Sequence, residues 1–284
     1  MSSPPILLVV VDTEEEFDWS APFDRGQTSV QAMAEIHRCQ EMCDRFGIRP
    51  IYVMDYPVAS QEAGWRPLKE LIDDGRAVMG AHLHPWVTPP LVEALTYANS
   101  FPGNLPVAVE REKLTILTRQ IQVVMGSQPK VYKAGRYGIG PNTPAILHEL
   151  GYEVDLSPAP PFSFQAGGGP DFSLTSNHPQ RMADQSILSV PATGDFIGGL
   201  SSSRRRANQL YRFASSPRFK RLRLPGILSR THLLERIRLS PEGHSADELE
   251  RLTVTLLQRG LTVFSLTLHS PSFKPGCTPY VRDR

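Results

Sequence analysis

Cysteine is scarce in this chain. Cys39, Cys43 and Cys277 are the only three among 284 residues, an odd and sparse set that excludes a disulfide framework and suits a reducing compartment. Cys39 and Cys43 stand one helical turn apart but lack CxxC spacing or a nearby histidine, so they read as buried thiols rather than metal ligands. Long apolar runs are also missing. Ile6 to Val11 is only six residues long and follows Met1-Ser2-Ser3-Pro4-Pro5 without a basic residue, too short for a secretory core or a membrane span. A cytoplasmic location is therefore expected. Net charge is close to absent as well, at +1, so no nucleic-acid partner is expected from global electrostatics. Neither GxGxxG nor GxxxxGK[ST] follows the first apolar run, which argues against a nucleotide-binding sheet. No internal repeat is evident.

What is present is an ordinary globular composition, 40% hydrophobic and 21% charged, with ample length to bury a core. The continuous β-branched run Ile6 to Val11 predicts a strand buried on both faces of a parallel sheet. Strand and helix signals then alternate. Ser29 is expected to cap a helix through about Phe46, ended by Gly47; a strand follows at Arg49 to Met54, and a helix ends near Gly75. The next strand is Ala77 to Ala81, followed by a Pro-rich loop from Pro85 to Pro106 and a helix from Val107 to Met125 stopped by Gly126. Short strands at Val131 to Lys133 and Tyr152 to Leu156 flank a helix at Pro141 to Leu150. Ser245, with Glu248 three residues on, predicts a capping box opening a helix to Arg259, before a last strand at Leu261 to Leu268. The chain ends at Arg284, where a further helix would be expected. Such alternation implies parallel strands with right-handed crossovers, and an α/β barrel is preferred over a doubly wound sheet, as one domain over 1–284.

Chemistry concentrates where predicted strands stop. In Gly80-Ala81-His82-Leu83-His84-Pro85-Trp86, two histidines stand two apart, and in extended backbone positions i and i+2 share a face. Two neutral imidazoles there can converge on one metal ion if a carboxylate joins them. The first strand ends in Asp12-Thr13-Glu14-Glu15-Glu16, and the carboxyl ends of barrel strands meet at one rim. Lys133-Ala134-Gly135-Arg136-Tyr137-Gly138 and Leu268-His269-Ser270-Pro271 also follow predicted strands. Together these suit metal-assisted hydrolysis. One carboxylate and two histidines leave a divalent ion open positions for water and a substrate carbonyl, a second carboxylate takes the water's proton, and an opposite histidine protonates the leaving group.

The same ordered motifs, with Asp155-Leu156-Ser157-Pro158 between the last two, resemble the polysaccharide deacetylases of carbohydrate esterase family four, the NodB-homology group. The likeness spans nearly the whole chain apart from a basic segment. It implies a distorted (β/α)7-type barrel and removal of N- or O-acetyl groups from a bacterial surface polysaccharide, glycolipid or sugar precursor. A divalent metal is implied, zinc first, with cobalt or nickel as alternatives. By resemblance, Asp12 is the base, Glu14 the metal-binding acid with Glu15 competing, and His82 and His84 the metal-binding histidines. Lys133 or Arg136 would orient Asp12, Asp155 would hold that cation, Tyr137 would offer its backbone N–H to the oxyanion, and His269 would be the acid. Two departures stand out: the family's usual histidine spacing is HxxxH, which would require histidine at Trp86, and its usual metal aspartate is here a glutamate.

Between Ser201 and Pro241 the alternation lapses. Arg204, Arg205, Arg206, Arg212, Arg218, Lys220, Arg221, Arg223, Arg230, Arg236 and Arg238 there face one acid, Glu235. This basic insertion is read first as a solvated helical excursion, and alternatively as contact with a phosphate-rich glycolipid, a membrane surface or nucleic acid, though no stacked-aromatic nucleic-acid module is recognisable around it. Competing functions are a non-catalytic carbohydrate- or lipid-binding relative, a metal-independent amidohydrolase on the same fold, and a glycosidase with paired carboxylates. Substrate identity and oligomeric state are not legible.

Overall fold

The computed structural model describes residues 4–182, 186–216 and 223–282. Arg218, Lys220, Arg221, Met1, Ser2, Ser3 and Arg284 lie outside the described residues.

The first apolar run forms β1, Ile6–Thr13, in which Val9, Val10 and Val11 are buried. Ile6 and Leu7 are 56% and 44% exposed at the amino-terminal end of the strand, so burial on both faces holds only for its second half. The chain continues through α1 (His37–Arg45), β2 (Ile51–Met54), α2 (Tyr56–Ser60), α3 (Glu62–Asp73) and β3 (Val78–Leu83). Then come α4 (Val107–Met125), β4 (Val131–Ala134), α5 (Thr143–Glu149) and β5 (Val154–Asp155). The second half holds β6 (Gln180–Met182), β7 (Ile187–Ser189), β8 (Gly194–Ile197), α6 (Arg204–Ala214), α7 (Leu224–Arg230), β9 (Glu235–Arg238), α8 (Ala246–Gln258) and β10 (Val263–His269).

Among the described residues one sheet runs in the order β10-β1-β2-β3-β4-β5-β7-β6, parallel throughout except for β6, which runs antiparallel to β7. It is a curled parallel sheet forming a half-barrel. The expected barrel type is therefore present in open form. The antiparallel β8–β9 ribbon lies against β10: the Leu239 and Thr193 backbones bond each other, and they reach Thr267 and Ser265 respectively.

The outer layer follows from amphipathic spacing. Leu114, Leu117, Ile121 and Met125 of α4 recur every three or four residues and are buried in the same core cluster as Tyr52, Leu83 and Tyr132. Each such side chain contributes roughly 1.5–3 kcal/mol on burial. Gly126 ends α4 in the left-handed region at φ 78°, the conformation that its lack of a Cβ permits. The Ser245 capping box on α8 is present, with both reciprocal bonds formed.

Three expectations are corrected. Ser29 caps no helix; its hydroxyl bonds Glu16, and the following turn is a 3-10 segment, Gln31–Glu35, before α1 begins. The strand expected over Tyr152 to Leu156 shrinks to β5, because only Val154 and Asp155 find ladder partners on β4 and β7. The basic insertion is more than a solvated excursion. It contributes β9 to the ribbon, Arg204 pairs with Asp195 at 2.7 Å, and Glu235 is buried against Arg251 of α8.

Candidate active site

Parallel register brings the sequence motifs together. Asp12 lies beside His269 across β1 and β10, and His82 beside Lys133 across β3 and β4. All four sit at the carboxyl-terminal rim, so side chains from distant parts of the chain converge.

Asp12 is buried, and Lys133 Nζ donates to both its oxygens at 2.6 and 2.5 Å. Burial alone would raise this carboxyl; Lys133, His82 and His269 outweigh it and hold it down to about 2. Asp12 is thus a charged carboxylate at any ordinary pH. Of the two cations proposed to orient it, the geometry selects Lys133. The Arg136 side chain instead bonds the Ser100 hydroxyl and stacks on Tyr97 and Phe101.

His82 and His84 present their Nε2 atoms to one Glu14 oxygen, each at 3.4 Å. Their Nδ1 atoms are committed elsewhere, His82 to the Lys133 carbonyl at 3.0 Å and His84 to Glu15 at 2.8 Å. Those bonds leave both Nε2 lone pairs directed at the same point. Burial pushes both imidazoles down, His84 to about 4, so both are neutral, the form that ligates. Glu14 is buried, its Oε1 lacks a hydrogen-bond partner among the described residues, and burial together with Asp12, Glu15 and Asp55 pushes its carboxyl well up. One carboxylate and two neutral imidazoles without a counter-cation match the donor set of a divalent metal centre.

Glu15 sits behind this group. It accepts from His84 and from the Trp86 indole at 2.8 Å each, and its backbone N–H donates to Asp55. Trp86 is buried with its ring stacked on His84 at 4.3 Å, so the position where histidine was expected serves to hold the histidine two residues earlier. Gly135 allows this crowding: a Cβ there would meet His84 Cδ2 at 2.4 Å.

His269 completes the cluster, its Nε2 3.6 Å from Asp12. Its Nδ1 bonds Glu242 at 2.6 Å, and the same carboxylate accepts from the His269 backbone. Trp19 packs edge-on against the imidazole at 5.2 Å. Sequence reading missed Glu242, Asp55, Trp19 and Arg238 as site residues. Glu242 lies in Ser240-Pro241-Glu242-Gly243, indistinguishable from an ordinary turn acid without the fold.

Asp155 stands apart from the proposed cation. It accepts from the Ser157 backbone and hydroxyl, burial raises it to about 6, and no ion pair joins it to Lys133 or Arg136 among the described residues. Its service is to shape the β5 end: Ser157 in turn accepts from the Ala134 backbone at 2.8 Å. Arg136 and Tyr137 occupy consecutive left-handed positions, φ 54° and 60°, a strain on the order of 1–3 kcal/mol each. That turn sends Arg136 toward Tyr97 and Tyr137 toward Phe164, which it stacks at 5.5 Å. A cleft of about 850 Å³ opens over Asp12, Glu14, His82, His84, Lys133 and His269, walled by Phe17, Trp19, Phe23 and Phe164.

This arrangement was compared with known proteins. No family model and no curated protein matches the chain. Among solved structures, one of a provisionally assigned polysaccharide deacetylase from Mycobacterium smegmatis superposes with a TM-score of 0.55 at 15% identity, covering 98% of this chain and 82% of that one. The chain has the polysaccharide deacetylase fold. Weaker likenesses, each with a TM-score of 0.46 at 13% identity and covering 93% of this chain, are to a probable polysaccharide deacetylase from Pseudomonas aeruginosa PAO1 and to Puue allantoinase. They cover 78% and 77% of those chains. In this deacetylase-type half-barrel, the site sits where the parallel strands end, the place where barrel enzymes assemble catalytic groups.

Proposed function

We propose that this chain is a metal-dependent hydrolase removing N- or O-acetyl groups from a glycan, glycolipid or sugar precursor. The observation that carries the reading is the convergence of Glu14, His82 and His84 beside the Asp12–Lys133 pair and His269 in one cleft. Glu14, His82 and His84 would hold the ion, and zinc suits one oxygen and two nitrogen donors. When bound, it would supply Lewis acidity to the acetyl carbonyl and lower the pKa of a water.

The protein's own groups account for the proton traffic. Asp12, kept ionised by Lys133, accepts the attacking water's proton. His269 delivers a proton to the departing nitrogen or oxygen, and Glu242 at Nδ1 fixes the orientation of its ring. Phe17 and Trp19 lie over this centre and limit water access. Position Tyr137 is proposed to supply a backbone donor to the developing oxyanion.

Acetate release from acetylated chito-oligosaccharide and from an acetyl ester, assayed in the zinc-loaded protein, tests this reading. Activity is expected to fall at least about a hundredfold in each of Asp12→Asn, His82→Ala and His269→Ala. Activity unchanged in all three variants overturns the proposal.

A further inference from the structure

Among the described residues, two arginines in the cleft have no carboxylate partner. Four acids line the cleft, none of them against an arginine among the described residues: Asp12 is held by Lys133, Glu242 by His269 and Ser272, Asp18 by Ser20, and Glu14 faces the two imidazoles of the proposed metal site. Two guanidinium groups, Arg136 and Arg238, line the same cleft, and neither has a carboxylate within ion-pair distance among the described residues. Both are held by neutral partners. Arg238 donates to the Tyr137 hydroxyl at 2.9 Å and lies over the Tyr137 and Phe162 rings at 4.7 and 4.3 Å. Its Nε is buried and has no hydrogen-bond partner among the described residues. Arg136 bonds the Ser100 hydroxyl and the Tyr97 carbonyl, and lies between the Tyr97 and Phe101 rings at 4.0 and 4.2 Å.

Ring stacking orients a guanidinium without neutralising it, and a planar fork so held matches a carboxylate or phosphate. The buried Arg238 Nε, unpartnered among the described residues, is the donor that an anionic ligand would answer. The placement is close to the reacting groups. The Tyr137 ring that carries Arg238 on one contact has Lys133 Nζ 5.0 Å from its centre on another, and Lys133 holds Asp12.

We infer that the cleft recognises an acidic sugar, one bearing a carboxylate or phosphate close to its acetylated position, with Arg238 and Arg136 as the anion-docking groups. The acetyl part of this statement rests on the deacetylase reading; the anion site does not. It narrows the substrate class to acidic glycans or phosphorylated sugar precursors over neutral polymers.

The test is calorimetric binding to the full, chelator-treated chain, so that phosphate does not report on a metal. Three probes are compared: N-acetylglucosamine, its 1-phosphate and its uronic acid. At least one charged probe is expected to bind about tenfold more tightly than the neutral sugar, and the tighter of the two identifies phosphate or carboxylate as the anion. Arg238→Gln is expected to abolish that preference, and Arg136→Gln to reduce it, with neutral-sugar affinity unchanged. Should Arg238→Gln fail to fold by circular dichroism, the parent's preference must instead weaken between about 50 and about 500 mM salt. Equal affinity for all three probes, no binding of either charged probe at about 10 mM, a preference that survives both substitutions, or one insensitive to salt, overturns the inference. Anion preference without acetate release from the preferred charged probe by the zinc-loaded protein contradicts the proposed function alone. Acetate release with no anion preference contradicts this inference alone.

Discussion

Asp12 can stay ionised in the interior because Lys133 reaches both its oxygens, and Glu242 fixes the His269 imidazole opposite it from behind. The two acids therefore take different partners, Asp12 a lysine and Glu242 a ring nitrogen. Replacing Glu242 by glutamine keeps a hydrogen-bond acceptor near Nδ1 but removes the carboxylate charge beside the ring. In Glu242→Gln, kcat for acetate release is expected to fall on the order of a hundredfold while zinc affinity stays at the parent value, since Glu242 stands outside the Glu14, His82 and His84 group. Steady-state kinetics and a zinc titration read the two separately. A joint loss of both would mean that Glu242 only supports the local structure. At this scale the histidine pair and the acids after β1 were legible, because period-two spacing and strand ends are sequence properties. Glu242 was not, because nothing local distinguishes it from a turn residue, and neither was the choice between Lys133 and Arg136. That choice depends on strand register, which places Lys133 beside His82 and turns Arg136 toward aromatic rings.

Among the elements, α4 carries a buried acid outside the cleft, with a separate consequence. Glu110 accepts from the Thr143 hydroxyl through one oxygen, while the other has no partner among the described residues. Burial pushes its carboxyl up from 4.5 to about 7. The folded state then holds a proton that the unfolded chain has released, so this contribution to stability is complete below about pH 4.5 and fades as pH rises through 7. Glu110→Gln mimics the protonated form. Relative to the parent, it is expected to gain stability from pH 5 to pH 8, by at most about 3 kcal/mol, in urea unfolding. An identical stability difference at both pH values would contradict the assignment. The helix itself was readable from its apolar spacing and its glycine stop. The short strands β5, β6 and β7 were poorly resolved in the sequence or missed, since two or three residues carry too little alternation to register against the surrounding Pro- and Gly-rich loops.

For the whole molecule, the alternating pattern implied a parallel α/β barrel, and the sheet is parallel over seven neighbouring strands but curled open. Openness has a local cause: β8 and β9, the latter from the basic segment, pair with each other as a ribbon beside β10 and extend no parallel ladder. Periodicity could not foresee that a segment read as a solvated excursion would build one wall of the cleft through Arg238. No helix among the described residues is long and apolar enough to cross a membrane. The central claim is that Glu14, His82 and His84 form a metal centre in this open half-barrel. Calorimetric titration of chelator-treated protein with zinc tests it most directly. One zinc per chain is expected in the parent, with affinity falling at least about tenfold in Glu14→Gln and in His84→Ala. No zinc uptake by the folded parent, or equal uptake by both variants, would contradict the claim.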